Sequence, residues 1–189
     1  HWLDKIPHLY LANDNCPNQS LWCGTAEAKE VLMKILKNEQ IYYQELPFQS
    51  GFHTPFLADK VGLAKESVKH IEMIEDSIPV WSATTLEQYP TDKEKYQQLI
   101  IDHMIKPVYF SGLIQKLFKE ENVRVFIQIG VGGLVTFVDD ILKDENYSAI
   151  STGISNRSGL EQLRRVLALL FIEGKTVDYT FLGVKLQYQ

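Results

Sequence analysis

A chain of 189 residues with 45% hydrophobic and 23% charged side chains can bury a core, which excludes the disordered and collagen-like classes. Its net charge of −5 leaves no electrostatic footprint for nucleic acid or an anionic membrane. No uncharged apolar run approaches the roughly 18 residues needed to cross a bilayer.

The chain opens without Met, and His1 to Lys5 do not read as a signal peptide. Ile6 to Ala12 reads as a strand, followed by a turn-rich stretch from Asn13 to Asn18. Ser20 to Cys23 is a second short strand ended by Gly24. Thr25 then caps a helix to about Asn38, with Val31, Leu32, Ile35 and Leu36 at helical spacing. Ile41 to Leu46 is rich in β-formers, so the first fifty residues predict β-β-α-β. From Phe52 the texture changes to longer helices and short strands. A helix is expected from Phe56 to about Ile74 and a strand from Ile78 to Ala83. Thr91 to Glu94 reads as a capping box opening a helix with Tyr96, Leu99, Ile100 and Met104 on one side. Pro107 is expected to start the next helix, which carries Phe110, Leu113, Ile114 and Leu117. Val123 to Ile129 is the strongest strand and is expected to be buried. Gly130-Val131-Gly132-Gly133 leads into a helix from about Leu134 to Leu142, then a strand from Ser148 to Thr152. Ser158 to Glu161 is a second capping box, opening a helix to about Glu173 that ends at Gly174. Alternating strands and helices imply an α/β layer architecture here.

Few residues point to chemistry by type and spacing alone. The glycines at 130, 132 and 133 lie where backbone amides cradle a phosphate, but the dinucleotide fingerprint would need Gly where Val135 stands. A tight strand-to-helix turn explains them equally well. His53 sits at the change of texture, and histidine is the usual general base near neutral pH. His1, His8, His70 and His103 show no ligand spacing to it, so no metal is expected. Cys16 and Cys23 make neither a disulfide framework nor a zinc motif, and are expected as free thiols in a reducing cytoplasm. The nucleophile elbow GxSxG is absent; Ser111 lies in a helix pattern and Ser158 is a cap.

Five stretches, in this order, resemble the acyltransferases that load malonyl-type units in fatty-acid and polyketide synthesis. Asn15 to Gln19 followed by Leu21-Trp22-Cys23-Gly24 is similar to the family's AN-x-N-x-P-x-Q passage. Phe52-His53-Thr54-Pro55 resembles the AFH-S/T-P segment, and Pro79-Val80-Trp81-Ser82 resembles PV-x-S. His103 to Phe110 is similar to HL-x-x-PV-R-F, and Phe126 to Gly132 to FVE-IG-PG, with Gln128 standing where Glu is usual. Phe137 to Leu142 (FVDDIL) and the C-terminal tail resemble large multidomain synthases more than stand-alone bacterial enzymes.

The resemblance implies an α/β fold: a partial α/β-hydrolase-like large subdomain (52–189) and a partial ferredoxin-like small subdomain (1–51). It implies ping-pong acyl transfer from malonyl-CoA to the phosphopantetheine thiol of an acyl carrier protein, with no bound cofactor. His53 would be the general base, oriented by the backbone carbonyl of His103. Asn15 and Gln19 would line the acyl pocket. Phe52 would crowd an α-methyl branch and so favour malonyl over methylmalonyl. The family's serine, in GHS-x-G, and its carboxylate-binding arginine are expected upstream of residue 1, so the chain by itself is not expected to form an acyl-enzyme. The expected partners are a carrier protein, a coenzyme A thioester and that missing N-terminal part, with no nucleic acid and no membrane. Two alternatives stay open. One is an acyl hydrolase that clears stalled carrier proteins. The other is a non-catalytic docking module, which would need a basic patch around Lys60, Lys65 and Lys69 to meet an acidic partner.

Overall fold

The computed structural model describes residues 5–47, 49–72 and 78–179. It divides into two compact units, residues 1–113 and 114–189.

In the first unit, β1 (Leu9–Cys16) and β2 (Gln19–Gly24) form an antiparallel hairpin, pairing from Leu9 with Gly24 to Cys16 with Gln19. The predicted turn from Asn13 to Asn18 shrinks to its last two residues, because two bulges let β1 continue through Asn13 to Cys16. Thr25 caps α1 (Ala26–Asn38) as expected, its hydroxyl accepting from Ala28 N. Glu27 in the first turn and Lys37 in the last complement the helix dipole. Ala28, Leu32 and Ile35 face Ile6, Leu9 and Trp22, one apolar cluster between hairpin and helix. Val31, counted in the predicted stripe, is exposed.

The expected strand from Ile41 to Leu46 does not form. β-formers need a pleated, half-buried surface beside a partner strand, and here Tyr42 is 89% exposed. The third strand of the sheet comes from farther along the chain. β3 (Val108–Tyr109) lies parallel to β1, pairing with Asn13 and Asp14, to give the order β2-β1-β3. Pro107 therefore precedes a strand, and the helix begins only at Phe110.

The helix predicted from Phe56 to Ile74 is broken into a 3₁₀ turn, Pro55–Lys60, and α2 (Gly62–Val68). Gly62 at the junction is a weak helix residue. Position 74 lies outside the described residues. No strand forms at 78–83; Trp81 makes an isolated bridge to Gln88. α3 (Lys93–Ile105) is capped by Asp92, whose carboxylate accepts from Lys95 N, one position after the predicted Thr91. Val61 and Val68 pack with Ile101 of α3, flanked by Leu57, Ile100 and Met104. α4 (Phe110–Lys119) starts in this unit and ends in the next.

The second unit is a βαβα run. β4 (Val125–Gln128) and β5 (Ser148–Ser151) are parallel and in register from Val125 with Ser148. Between them runs α5 (Leu134–Ile141), packed on both strands, and α6 (Gly159–Ile172) packs on β5. Ser158 accepts from Glu161 N at the start of α6, as its capping box predicts. Gly174, at φ 72°, ends it with a left-handed cap. Val138, Leu142, Val166 and Leu167 are buried. β4 is shorter than predicted and less buried: Ile127 is partly exposed and Ile129, beyond its end, is 84% exposed.

The Gly130 to Gly133 loop is held by protein groups. Gln128 is buried and accepts from Val135 N, capping α5, while its amide donates to Gly130 O. Thr152 Oγ1 accepts from Gly130 N. A Cβ on Gly132 would stand 2.9 Å from Gln128 Nε2. The glycines serve this close turn, and the Gly130 amide in the loop and the Val135 amide in the first turn of α5 are already engaged.

Candidate active site

The site is built within the first unit, where the segment 50–54 meets the C-terminal turn of α3. The last carbonyls of a helix have no partner inside it. Two of these, on His103 and Met104, are taken by one residue. His53 N–H donates to Met104 O at 2.8 Å, and His53 Nδ1 lies 2.6 Å from His103 O. A carbonyl only accepts, so this bond requires the proton on Nδ1 and leaves Nε2 of the neutral ring as an acceptor. The arrangement also places the half-buried imidazole where the helix dipole accumulates partial negative charge.

His53 has φ 62°, in the left-handed region. Histidine enters it more readily than most residues, yet still at a cost on the order of 1 kcal/mol or more. The neighbours hold it there. Thr54 is fully buried and its hydroxyl donates to Gly51 O at 2.7 Å. Pro55 starts the 3₁₀ turn with its fixed φ. A close approach favours glycine at position 51, since a Cβ there would stand 3.0 Å from Phe56 Cβ.

Around this segment stand three other groups. The His103 ring meets the His53 ring edge-on, centroids 4.9 Å apart, and its Nδ1 is 2.8 Å from Thr84 Oγ1. Burial, and then the neighbouring His53, push the His103 imidazole below its ordinary 6.5. Phe52 is 52% exposed, with its ring 6.2 Å from that of His53. Cys23 Sγ donates to Ser50 O, and burial pushes its thiol up, with a Thr54 hydrogen bond working the other way. A thiol held protonated is a poor nucleophile.

Asn15 and Gln19 form a second group at the hairpin end, where Asn15 Nδ2 donates to Gln19 Oε1 at 2.7 Å. Their described hydrogen bond is to each other and not to His53. Thr84 was not singled out by sequence reasoning. It lies in a turn 19 residues from His103, and only the fold brings the two together. Among the described residues, no cluster of His, Cys, Asp or Glu is arranged to hold a metal, and no helix is long and apolar enough to cross a membrane.

No family model matches the chain. The malonyl CoA-acyl carrier protein transacylase of Bacillus subtilis (strain 168) is 32% identical over 141 residues, covering 71% of this chain and 44% of the transacylase. The crystal structure of the malonyl CoA-acyl carrier protein transacylase from Clostridium perfringens superposes with a TM-score of 0.77 at 26% identity. It covers 92% of this chain and 55% of its own. The chain is homologous to the malonyl-CoA:acyl carrier protein transacylases and polyketide synthase acyltransferase domains. Among the synthases, probable polyketide synthase 22 of Dictyostelium discoideum is 23% identical over 194 residues, 93% of this chain and 8% of the synthase. The chain spans about half the length of the transacylases it matches. The mixed α/β fold with small sheets is that of the transacylase family.

Proposed function

We propose that this chain forms part of an acyltransferase that moves a malonyl-type group from coenzyme A to the phosphopantetheine thiol of an acyl carrier protein. The observation that carries this reading is the His53 imidazole held at Nδ1 by the His103 carbonyl. The ring keeps Nε2 as the basic nitrogen, and the family relationship supplies the reaction class. The nucleophile is assigned to a serine in a GHS-x-G motif, which these 189 residues do not contain.

In the first half-reaction Nε2 takes the serine proton as Oγ attacks the thioester carbonyl. The tetrahedral intermediate collapses, the C–S bond breaks, and the leaving thiolate collects the proton from Nε2. In the second, the carrier thiol gives its proton to Nε2 and attacks the acyl-serine ester. The serine leaves and is reprotonated. The His103 carbonyl fixes the tautomer and aim of the ring throughout, the part a carboxylate takes in a Ser-His-Asp triad. Asn15 and Gln19 are assigned to the acyl pocket, where their amides can bond thioester or carboxylate oxygens. Residues 1–51 are assigned to the small ferredoxin-like subdomain and 52–189 to the large hydrolase-like one.

The test uses the full-length protein, incubated with malonyl-CoA, quenched and weighed intact. A malonyl adduct on one serine, discharged by added carrier protein, is expected. No adduct would overturn the reading, and an adduct lost to water without carrier loading would point to a hydrolase.

Phe52 sets a preference at the same site. One methyl in an apolar pocket is worth only about 1–3 kcal/mol. Phe52→Ser should therefore lower the malonyl-to-methylmalonyl ratio about 10-fold in a competition assay. An unchanged ratio would remove Phe52 from specificity.

A further inference from the structure

We infer that Thr84 is a positioning residue for the base, acting through the side chain of His103. The inference rests on the reading of His53 as general base.

His103 has two separate attachments. Its carbonyl holds His53 Nδ1 at 2.6 Å, and its ring is held by Thr84 Oγ1 at 2.8 Å. The first attachment depends on where the second puts the residue. His103 is in the last turn of α3, where carbonyls are no longer fixed by amides of the same helix. The carbonyl there keeps its aim only while residue 103 stays in place, and a shift of that residue would swing the oxygen away from Nδ1. The ring of His103 is also packed edge-on against that of His53. Moving it would displace the base directly.

Thr84 is well placed to act as a fixed point. It is buried, with 9% exposure. Its own N–H, and that of Thr85, are accepted by the buried Ser82 hydroxyl. Ser82 N donates to Glu87 O, and Leu86 N to Ser82 O, closing the turn. The adjacent Ala83 carbonyl accepts from Tyr109 N at 2.7 Å, and Tyr109 belongs to β3, in register with Asp14 of β1. An unbroken series of bonds thus runs from the central strand through β3, Ala83, Thr84 and His103 to His53. Burial, and then the neighbouring His53, disfavour the charged form of the His103 ring, which works against a second cation beside His53.

The test compares three single variants and one double variant in the full-length protein. Thr84→Val keeps the branched shape and removes the hydroxyl. It should slow acyl-enzyme formation about 10-fold, as expected for a small misplacement of a reacting group, with KM for malonyl-CoA unchanged. Thr84→Ser, which retains the hydroxyl, should restore most of the rate. His103→Ala removes the ring but leaves the carbonyl and should show a similar loss. Adding Thr84→Val to it should cost nothing further, because the two act as one unit. If Thr84→Val fails to fold, His103→Ala and Thr84→Ser still decide. Additive losses, or full activity in Thr84→Val, would overturn the inference. A second readout separates it from the reading it rests on. Imidazole nitrogen NMR of the wild type should show the Nδ1–H form of His53, and Thr84→Val should move the ring signals of both His53 and His103. If malonyl is never loaded, the acyltransfer reading fails and the NMR arm still decides the linkage. Unmoved His53 signals would sink it.

Discussion

Replacing His53 by Ala in the full-length protein should slow malonyl loading from coenzyme A by about 10³-fold, within the range carried by a positioned general base. The variant loses the proton acceptor at Nε2 and the ring bond to His103 O, while the backbone bond to Met104 O remains available. Alanine keeps a Cβ at φ 62°, so the local backbone cost persists and the fold should be retained. Single-turnover acylation read beside a thermal melt separates the two effects. A small change in melting with a near-total loss of acylation is the expected result. Normal acylation with a folded variant would mean that another residue takes the serine proton.

The largest stability effect is expected at Leu142→Ala. Leu142 closes α5, its N–H donating to Val138 O, and its side chain is only 1% exposed. Truncating a fully buried leucine removes transfer free energy and leaves a cavity, together worth about 2–5 kcal/mol. Denaturant unfolding of the full-length protein should show that loss at an unchanged slope. A loss below about 1 kcal/mol would mean that the surroundings collapse onto the smaller side chain.

How much of this was legible in the sequence depends on the range of the interactions that decide each element. Thr25 and Ser158 mark helix starts because a cap is a contact between residues three apart. The β4-glycine-α5 passage was read for the same reason. β3 was not, because two residues become a strand only when Asn13 and Asp14, far back in the chain, offer them a partner. The segment Ile41 to Leu46 failed in the opposite sense: its composition favours a strand, but no strand forms and Tyr42 stays in solvent. In the site, motif order singled out His53 and His103. Propensity and periodicity have nothing to say about the left-handed backbone of His53 or about Thr84, whose only link to the site is through space.

The partner that orients His53 is a backbone oxygen. Every amino acid brings one, so no point substitution at position 103 deletes it. Side-chain exchange there can adjust the aim of the base but cannot remove its support. A survey of polar side chains alone for the partner of His53 Nδ1 would miss it. Such a site is buffered against mutation on one side and fragile on the other. A change of residue type at the helix end shifts the aim without removing the oxygen, and the site depends on the α3 terminus staying in register with the loop that carries His53.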